Sequence, residues 1–291
     1  GDPRGIEGLT QVQDILPTLM DFCGIDAPAT SSFDGMNLAP IVRGETSVPE
    51  DRMFAINYTR LSGPFDYPTP ESPAVMRREG AAVLWKRWRL IAERELYNLD
   101  HDPQQQHNVI EQYPDIARKM TQYLDAWWKE VTPVANQINR IIIGSEAENP
   151  MMLSACDWRD VFIDKQRQVR WAEQKNSYWY LHVERPGTYR FELRRWPQES
   201  ELKLREACTA TQLTDGEMPE GVALPIAQAR MFIAGQWYKQ DVQENDEAAT
   251  FTVQLNEGPA LLHTWFDDDR KQPLCGAYYV YVKRLPTTEN T

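Results

Sequence analysis

Short runs of alternating apolar and polar residues, separated by turn sequences, fill the second half of the chain. A period of two indicates strands that bury one face. Turn sequences such as Glu184-Arg185-Pro186-Gly187 and Glu257-Gly258-Pro259 separate these runs. Several short strands with this punctuation predict a β-sandwich or jelly roll. The predicted strands are 178–183, 188–193, 230–233, 249–255, 260–266 and 277–283.

The first 135 residues combine helical and strand periods. Helical spacing predicts a helix that stops at Gly24, a short helix over 38–42 and a long helix from Pro114 to Pro133. Together with the strands of the second half, these elements predict an α+β fold. Further strands are predicted over 53–58, 81–85, 88–93 and 95–99. The apolar stripe of the first helix consists of Val12, Ile15, Leu16, Leu19, Met20 and Cys23.

Composition narrows the class of protein. The chain has 291 residues, of which 42% are hydrophobic and 11% aromatic, as is typical of an ordinary soluble globular protein. The formal net charge of −12 argues against a nucleic-acid binder, because such a protein carries a basic face. Since no run of about 18 apolar residues occurs, no membrane-spanning helix is expected.

Motifs of self-contained catalysis are absent from the sequence: it has no P-loop, G-x-S-x-G, H-E-x-x-H or G-x-G-x-x-G. His182 and His263 fall in predicted strands, where we expect surface imidazoles. A metal role for His101 and His107 would need a third ligand, and the nearby Asp100 and Asp102 are typical of a turn for backbone reasons alone. Asp267-Asp268-Asp269 offers oxygen ligands for calcium, but such a run is more typical of a solvated hairpin tip. These residues therefore assign neither a catalytic group nor a metal site.

The cysteines, Cys23, Cys156, Cys208 and Cys275, are too far apart in sequence for zinc-ligand spacing. We expect small buried thiols. The alternatives are at least one disulfide, since four cysteines permit three pairings, and a catalytic thiol.

Aromatic and basic residues cluster in two places. Residues 85–89 (WKRWR) predict a strand pair with its rings packed inward or, alternatively, a patch for an anionic sugar. Arg194-Arg195-Trp196 with Arg185 is a second candidate patch. Exposed tryptophans on a sandwich would suit a carbohydrate-binding module, although we expect most of the six in the core. They are Trp158, Trp171, Trp179, Trp196, Trp237 and Trp265.

Four segments, in this order, resemble the type I sulfatases. Residues 14–25 (DILPTLMDFCGI) are similar to the family's D-I-x-P-T-L-x-D-x-x-G-I segment, and residues 34–44 (DGMNLAPIVRG) to its D-G-x-x-L-x-P-x-x-x-G segment. Residues 87–91 (RWRLI) and 95–103 (ELYNLDHDP) resemble its r-W-K-L-I and E-L-Y-D-L-x-x-D-P segments. Asn108 and a helix follow as in the family, and the last third is similar to a β-rich extension of some bacterial sulfatases.

This resemblance implies an enzyme of the alkaline-phosphatase superfamily, which hydrolyses sulfate esters with a calcium ion and a formylglycine made from a C/S-x-P/A-x-R motif. Neither that motif nor the family's metal ligands occur in the sequence, which opens with Gly1 rather than Met. We therefore expect the C-terminal portion of a sulfatase, inactive alone and without a cofactor of its own. Its implied partners are the N-terminal catalytic portion and a sulfated saccharide, and the family implies a periplasmic or secreted location.

On this interpretation, residues 1–50 are the tail of the catalytic α/β domain, 51–135 the C-terminal subdomain and 136–291 a β-sandwich-like domain. The apolar face of the first 45 residues would then be poorly packed or engaged elsewhere. The alternatives are a non-catalytic carbohydrate-binding module and the C-terminal part of a related phosphatase or phosphodiesterase. The candidate substrate-binding residues, on or near the loop before the second strand, are Arg60, Tyr67 and Arg77.

Overall fold

The computed structural model describes residues 5–57, 76–135, 137–159, 161 and 163–286. They form an α+β fold in two compact units, one from the described residues up to 137 and one from those after it. We call them unit 1 and unit 2. Within the described ranges, no helix has the length and apolar character needed to cross a bilayer.

Unit 1 combines helices with a four-stranded antiparallel meander of order β1-β2-β3-β4. Its core lies between the meander and α3, where Met120 and Leu124 pack with Val83 and Leu90. The helix α3 continues past its predicted end at Pro133, since a proline in the last turn removes only one hydrogen bond. The elements are α1 (Ile15–Cys23), α2 (Ala39–Arg43), β1 (Met53–Asn57), β2 (Ala81–Trp85), β3 (Trp88–Ile91), β4 (Glu95–Asn98) and α3 (Pro114–Ala135).

Asp14 ties the N-terminal segment of unit 1 together. Its carboxylate accepts hydrogen bonds from the backbone N–H groups of Met36 at 2.8 Å and Gln11 at 2.9 Å. It also pairs with Arg52 at 2.5 Å, and the two side chains are 1% and 11% exposed. The Thr18 hydroxyl accepts a hydrogen bond from the Leu38 N–H at 2.8 Å. The two segments that resemble the sulfatase motifs therefore lie together through structural hydrogen bonds.

The apolar side of α1 faces solvent. Ile15, Leu16 and Leu19 are 54%, 56% and 52% exposed, and the buried residue of the helix is Thr18. A surface helix of a globular protein normally buries its apolar stripe. The exposure of α1 agrees with the expectation of poor packing in the first 45 residues, whereas Ala39 and Ile41 of α2 are buried within the chain.

Unit 2 is a sandwich of two sheets. The large sheet has the order β12-β11-β14-β7-β5, with β15 also paired to β14, and the small sheet has the order β13-β8-β16-β6. One core fills the space between them, to which the large sheet contributes Trp179 and Met231 and the small sheet Phe191 and Val280. The elements are β5 (Ile141–Ile143), β6 (Met151–Ser154), α4 (Gln166–Arg170), β7 (Trp179–Val183), β8 (Gly187–Arg194), β9 (Thr211–Leu213), β10 (Gly216–Met218), β11 (Gln228–Ile233), β12 (Gln236–Asp241), β13 (Ala249–Leu255), β14 (Gly258–Asp267), β15 (Pro273–Cys275) and β16 (Tyr279–Arg284).

Arginines hold the long connection between β8 and β11 against the sandwich. Arg195, which is fully buried, donates a hydrogen bond to the Val222 carbonyl at 2.6 Å. Arg170 donates to the Pro219 carbonyl at 2.7 Å. Burial lowers the pKa of the Arg195 guanidinium, because the charged form loses its hydration. Backbone carbonyls thus replace water around these buried cations.

Candidate functional site

The three residues proposed from the sequence are not brought together among the described residues. Arg60 and Tyr67 lie outside them. Arg77 is exposed, and its carbonyl accepts a hydrogen bond from the Asn57 side-chain amide at 2.6 Å. They remain sequence-based candidates.

The two patches of aromatic and basic residues are part of the structural framework. In the first, Trp88 is buried and Arg87 is exposed, which agrees with rings packed inward. In the second, Arg195 and Trp196 are both buried, so this patch is not a surface for a sugar. The suggestion of a second anion-binding patch is therefore wrong, because these side chains hold the connection that follows β8.

The six tryptophans of unit 2 divide into buried and accessible side chains. Trp158, Trp179 and Trp196 lie in the core, as expected for most of the six. Trp171 and Trp237 are 56% and 54% exposed, and Trp265 is half-buried. The accessible Trp237 and Trp265 meet on the large sheet.

Strand register explains that meeting. In β11, the residues Ala229, Met231 and Ile233 enter the core, so Arg230 and Phe232 point outward. Phe232 lies opposite Trp237 of β12 on one side and His263 of β14 on the other. Directly opposed residues of antiparallel strands share a face of the sheet. These side chains therefore lie on the outer surface of the large sheet.

The rings form one continuous row. We call Tyr178, His263, Trp265, Trp237 and Phe232 the aromatic face. Along it, ring centroids are separated by 4.2 Å between Tyr178 and His263, and by 3.8 Å between His263 and Trp265. Trp265 and Trp237 stack at 5.1 Å with an interplanar angle of 28°, and Trp237 lies 5.2 Å from Phe232.

A tight turn places Trp237 in this row. Ala234 and Gly235, which connect β11 to β12, have φ angles of +47° and +79°. Positive φ at both positions is the geometry of a type I′ hairpin turn, which matches the twist of the flanking strands. The turn sets the register that puts Trp237 opposite Phe232.

An ion pair lies beneath the aromatic face. Arg230 donates two hydrogen bonds to the carboxylate of Asp267, one from Nη2 at 2.8 Å and one from Nε. The Asp267 side chain is 1% exposed and that of Arg230 is 23% exposed. The guanidinium carbon of Arg230 lies 4.8 Å from the ring centroid of Trp265 and 5.9 Å from that of Trp237. We call Arg230 and Asp267 the ion pair of the aromatic face.

His263 is not the surface imidazole expected from the sequence. Only 9% of it is exposed, because Tyr178 and Trp265 flank its ring. Burial, and secondly the charge of Arg230, lower the pKa of His263 to about 4. Its Nε2 atom is buried and has no hydrogen-bond partner among the described residues. The imidazole is therefore uncharged at neutral pH.

The outer surface of the small sheet differs in chemistry. There, Arg190 pairs with Glu192 at 3.0 Å, and Arg194 pairs with Glu247 at 3.5 Å. Thr250, Thr252 and Gln254 of β13 are exposed on the same surface. The row of rings is thus a property of the large sheet.

The metal and thiol candidates give no site in the described part of the chain. Asp267 belongs to the ion pair, and Asp268 accepts hydrogen bonds from the N–H groups of Arg270 and Gln272 in the turn after β14. Within the described ranges, no three His, Cys, Asp or Glu side chains are grouped to hold a metal ion. The four cysteines are free thiols.

The expectation of buried cysteines is wrong for two of them. Cys23 and Cys156 are exposed, because Cys23 lies on the open side of α1 and Cys156 in a short helical turn after β6. Cys275 is buried, and burial raises the pKa of its thiol to about 11.

Sequence reasoning missed four groups at the site: Tyr178, Arg230, Phe232 and His263. The alternation of apolar and polar residues in β14 could have indicated which side chains face outward. Ala260, Leu262 and Phe266 face the core, so the alternate positions 261, 263 and 265 face outward. The adjacency of β11 and β14, which are far apart in the chain, could not be read from that alternation.

Comparisons with known proteins give weak matches. No family model and no curated protein matches the chain. Among solved structures, it is similar to a ruminal GH26 endo-beta-1,4-mannanase, with 13% identity, a TM-score of 0.25, and coverage of 49% of this chain and 27% of that one. It is also similar to a family 35 carbohydrate binding module from Clostridium thermocellum, with 9% identity, a TM-score of 0.25, and coverage of 46% of this chain and 98% of that one. Similarities at this TM-score carry no argument about function.

Proposed function

We propose that unit 2 binds a carbohydrate through the aromatic face. The observation that carries the proposal is the continuous row of rings on the outer side of the large sheet. Trp237 is 54% exposed, the rings of Tyr178, Phe232 and Trp265 are half-buried, and His263 is buried between its neighbours. Indole and phenol rings offer a rigid apolar surface with a polar edge, which suits the C–H face and hydroxyl rim of a sugar. A contiguous apolar patch on a soluble domain usually marks an interaction site.

The size of the row supports an oligosaccharide rather than a single sugar. The rings come from the start of β7 and from β14, β11 and β12, which are successive neighbours in the sheet. Three inter-strand spacings span about 14 Å between the backbones. Because the side chains of Trp237 and Trp265 lean towards each other, the row of rings is shorter than this and suits about two sugar rings.

Titration of the full chain with soluble mannan, xylan, β-glucan and galactan tests this proposal. Binding is followed by calorimetry and by tryptophan fluorescence. We expect Trp237→Ala to weaken binding by at least about tenfold, since aromatic anchors carry much of the energy of such contacts. Trp171→Ala is the matched control, because Trp171 is equally exposed but lies after α4, outside the aromatic face. Failure of the wild-type chain to bind any of these glycans would overturn the proposal.

We also propose, as a second function, that unit 1 belongs to the C-terminal portion of a sulfatase. The order of the four motif segments supports it, and so does the solvent-facing apolar side of α1. In that enzyme, the formylglycine and the calcium ligands would lie outside this chain, on the N-terminal catalytic portion that covers α1. We assign no reaction step to calcium, since the described residues offer no group that fits the ion. The family implies a sulfated saccharide substrate and a periplasmic or secreted location.

Peptide-mapping mass spectrometry of the native polypeptide tests the second function. Upstream peptides with a C/S-x-P/A-x-R motif, oxidised to formylglycine, would support it. A native polypeptide with no such motif upstream and no associated catalytic chain would refute it, and a superfamily nucleophile other than formylglycine would indicate a phosphatase or phosphodiesterase.

In a full-length enzyme, we expect Arg60→Ala, Tyr67→Ala or Arg77→Ala to raise KM, and an unchanged KM would remove that residue from the set of substrate-binding candidates.

A further inference from the structure

We propose that the aromatic face selects uncharged sugars and discriminates against sulfated ones. This inference rests on the proposed carbohydrate binding and names the chemical class of its ligand. It is independent of the sulfatase interpretation of unit 1.

The cation at the centre of the aromatic face is already engaged. Sulfate recognition depends on charge-assisted hydrogen bonds from a guanidinium or ammonium group. Arg230 directs two of its donors, Nε and Nη2, to the carboxylate of Asp267. A sulfate ester at this position would have to compete with a carboxylate that is fixed and 1% exposed.

Breaking that contact is unfavourable for a structural reason. Asp267 lies at the end of β14, and its side chain is 1% exposed. A buried carboxylate without its partner keeps its desolvation cost and loses the compensating charge. The ion pair therefore resists the rearrangement that would free Arg230 for an anion.

The charged groups nearest Arg230 in the register also balance. Lys239 and Asp241 of β12 are exposed on the same surface, beside Arg230 and Gln228 in the register. The Gln228 amide donates a hydrogen bond to Asp241 at 3.1 Å. His263 is uncharged at neutral pH. The two cations, Arg230 and Lys239, are thus matched by the two carboxylates of Asp267 and Asp241.

An uncharged sugar meets none of these obstacles. Its C–H face can lie on Trp237 and Trp265 without displacing the ion pair, and its hydroxyl groups remain in water or contact the rim. Arg230, held against both indoles, then acts by fixing the orientation of the rings rather than by binding an anion.

Paired ligands test the inference. The full chain is titrated with mannan, xylan, β-glucan and galactan and with the chemically sulfated form of each polysaccharide. We expect the unsulfated form to bind at least about tenfold more tightly, with little change between about 0.05 and 0.5 M NaCl. Equal or tighter binding of the sulfated form would overturn the inference and leave carbohydrate binding standing. Absence of binding to both forms of every polysaccharide would instead overturn the proposed function and the inference with it.

A matched pair of variants tests the role of the ion pair. Asp267→Asn removes the competing charge and frees Arg230, so we expect affinity for the sulfated forms to rise by about tenfold. Asp241→Asn is the control, because Asp241 and Asp267 both lie opposite Gln228, on its two sides. If a folded Asp267→Asn variant gains no more affinity for sulfated ligands than Asp241→Asn, the ion pair is not the source of selectivity. If Asp267→Asn does not fold, the wild-type preference between paired ligands still decides the inference.

Discussion

The indole rings of Trp237 and Trp265 stack with centroids 5.1 Å apart, although β11 lies between the two strands that carry them. Two strand spacings separate those backbones by about 9.5 Å, so both side chains lean inward. Arg230, projecting from the strand between them, lies against both rings. The aromatic face and its ion pair are therefore one packed assembly, and a change in either should affect the other.

Removal of Arg230 should destabilise unit 2. Arg230→Ala leaves Asp267 buried without its partner, for which we expect a loss of about 3 to 5 kcal/mol in the free energy of unfolding. The double variant Arg230→Ala/Asp267→Ala removes both charges and should lose less. Urea denaturation measures both, and equal losses for the single and double variants would contradict this account.

The stability of unit 2 should fall as the pH is lowered through a window set by the pKa of His263. Its pKa is lowered in the folded state to about 4 from an ordinary value of 6.5, so the unfolded chain binds the proton more readily. Folded and unfolded states differ in protonation between these values. We therefore expect stability to be intact above about pH 6.5 and to decline towards pH 4, by a total on the order of 2 to 3 kcal/mol.

The control for this window is His263→Phe, which keeps a ring between Tyr178 and Trp265 but removes the titrating group. Thermal unfolding at a series of pH values should show a flatter profile for the variant between about pH 4 and 6.5. Carboxylates with lowered pKa, such as Asp14 and Glu173, begin to lose their stabilisation as the pH falls through their ordinary pKa values of 3.8 and 4.5. The wild type and the variant share that loss, so the difference between their profiles above about pH 5 isolates His263. An unchanged slope in His263→Phe would refute the assignment.

Arg195 should be needed to hold the connection between β8 and β11 in its folded position. Arg195→Met preserves much of the apolar stem but leaves the Val222 carbonyl without its donor, so we expect a loss of about 2 to 4 kcal/mol. Limited proteolysis should then cut the connection faster. Arg185→Met is the control, since Arg185 is exposed. Similar cleavage of both variants would show that the buried cation does not hold this segment.

Local patterning predicts the strands of the sandwich well where one face is buried. The predicted strand 249–255 coincides with β13, because its apolar residues alternate without interruption. In contrast, β12 (QWYKQD) was not predicted, since it is polar and mostly exposed at the sheet edge. Without β12, the neighbour of Phe232 that completes the aromatic face is missing. The site depends on the order of strands in the sheet, which local alternation does not encode.

The motif segments in unit 1 show a different limit. Asp14 and Thr18 stand in a segment that resembles a sulfatase motif, and both bond to backbone in the segment of the next motif. Asn108, which follows the last motif, accepts a hydrogen bond from the Leu96 N–H at 3.0 Å. These residues make hydrogen bonds that hold the segments of unit 1 together. Motifs of this kind suggest a family without locating its site.

The structural role of Asp14 can be measured directly. Asp14→Ala removes the pair with Arg52 and leaves the N–H groups of Met36 and Gln11 without an acceptor, so we expect a loss of about 2 to 4 kcal/mol in unit 1. Asp21→Ala is the control: Asp21 pairs with Arg43, but the two side chains are 29% and 42% exposed, so water screens this pair far more than the buried one and its loss should be smaller. Chemical denaturation compares the two, and an equal or larger effect at Asp21 would contradict the assignment.

The apolar side of α1 should contribute to association rather than to the stability of this chain. Leu16 and Leu19 are more than half exposed, so Leu16→Gln and Leu19→Gln remove little buried area and should each change the free energy of unfolding by less than about 0.5 kcal/mol. Ile41 of α2, which is 7% exposed, is the contrasting position: Ile41→Gln buries an amide and should cost more than about 2 kcal/mol. Sedimentation velocity should show less self-association in the double variant Leu16→Gln/Leu19→Gln than in the wild type, because the uncovered patch is reduced. A loss of stability at Leu16 or Leu19 as large as that at Ile41 would mean that this side of α1 is packed within the chain, and it would remove one of the two observations that support a covering catalytic portion.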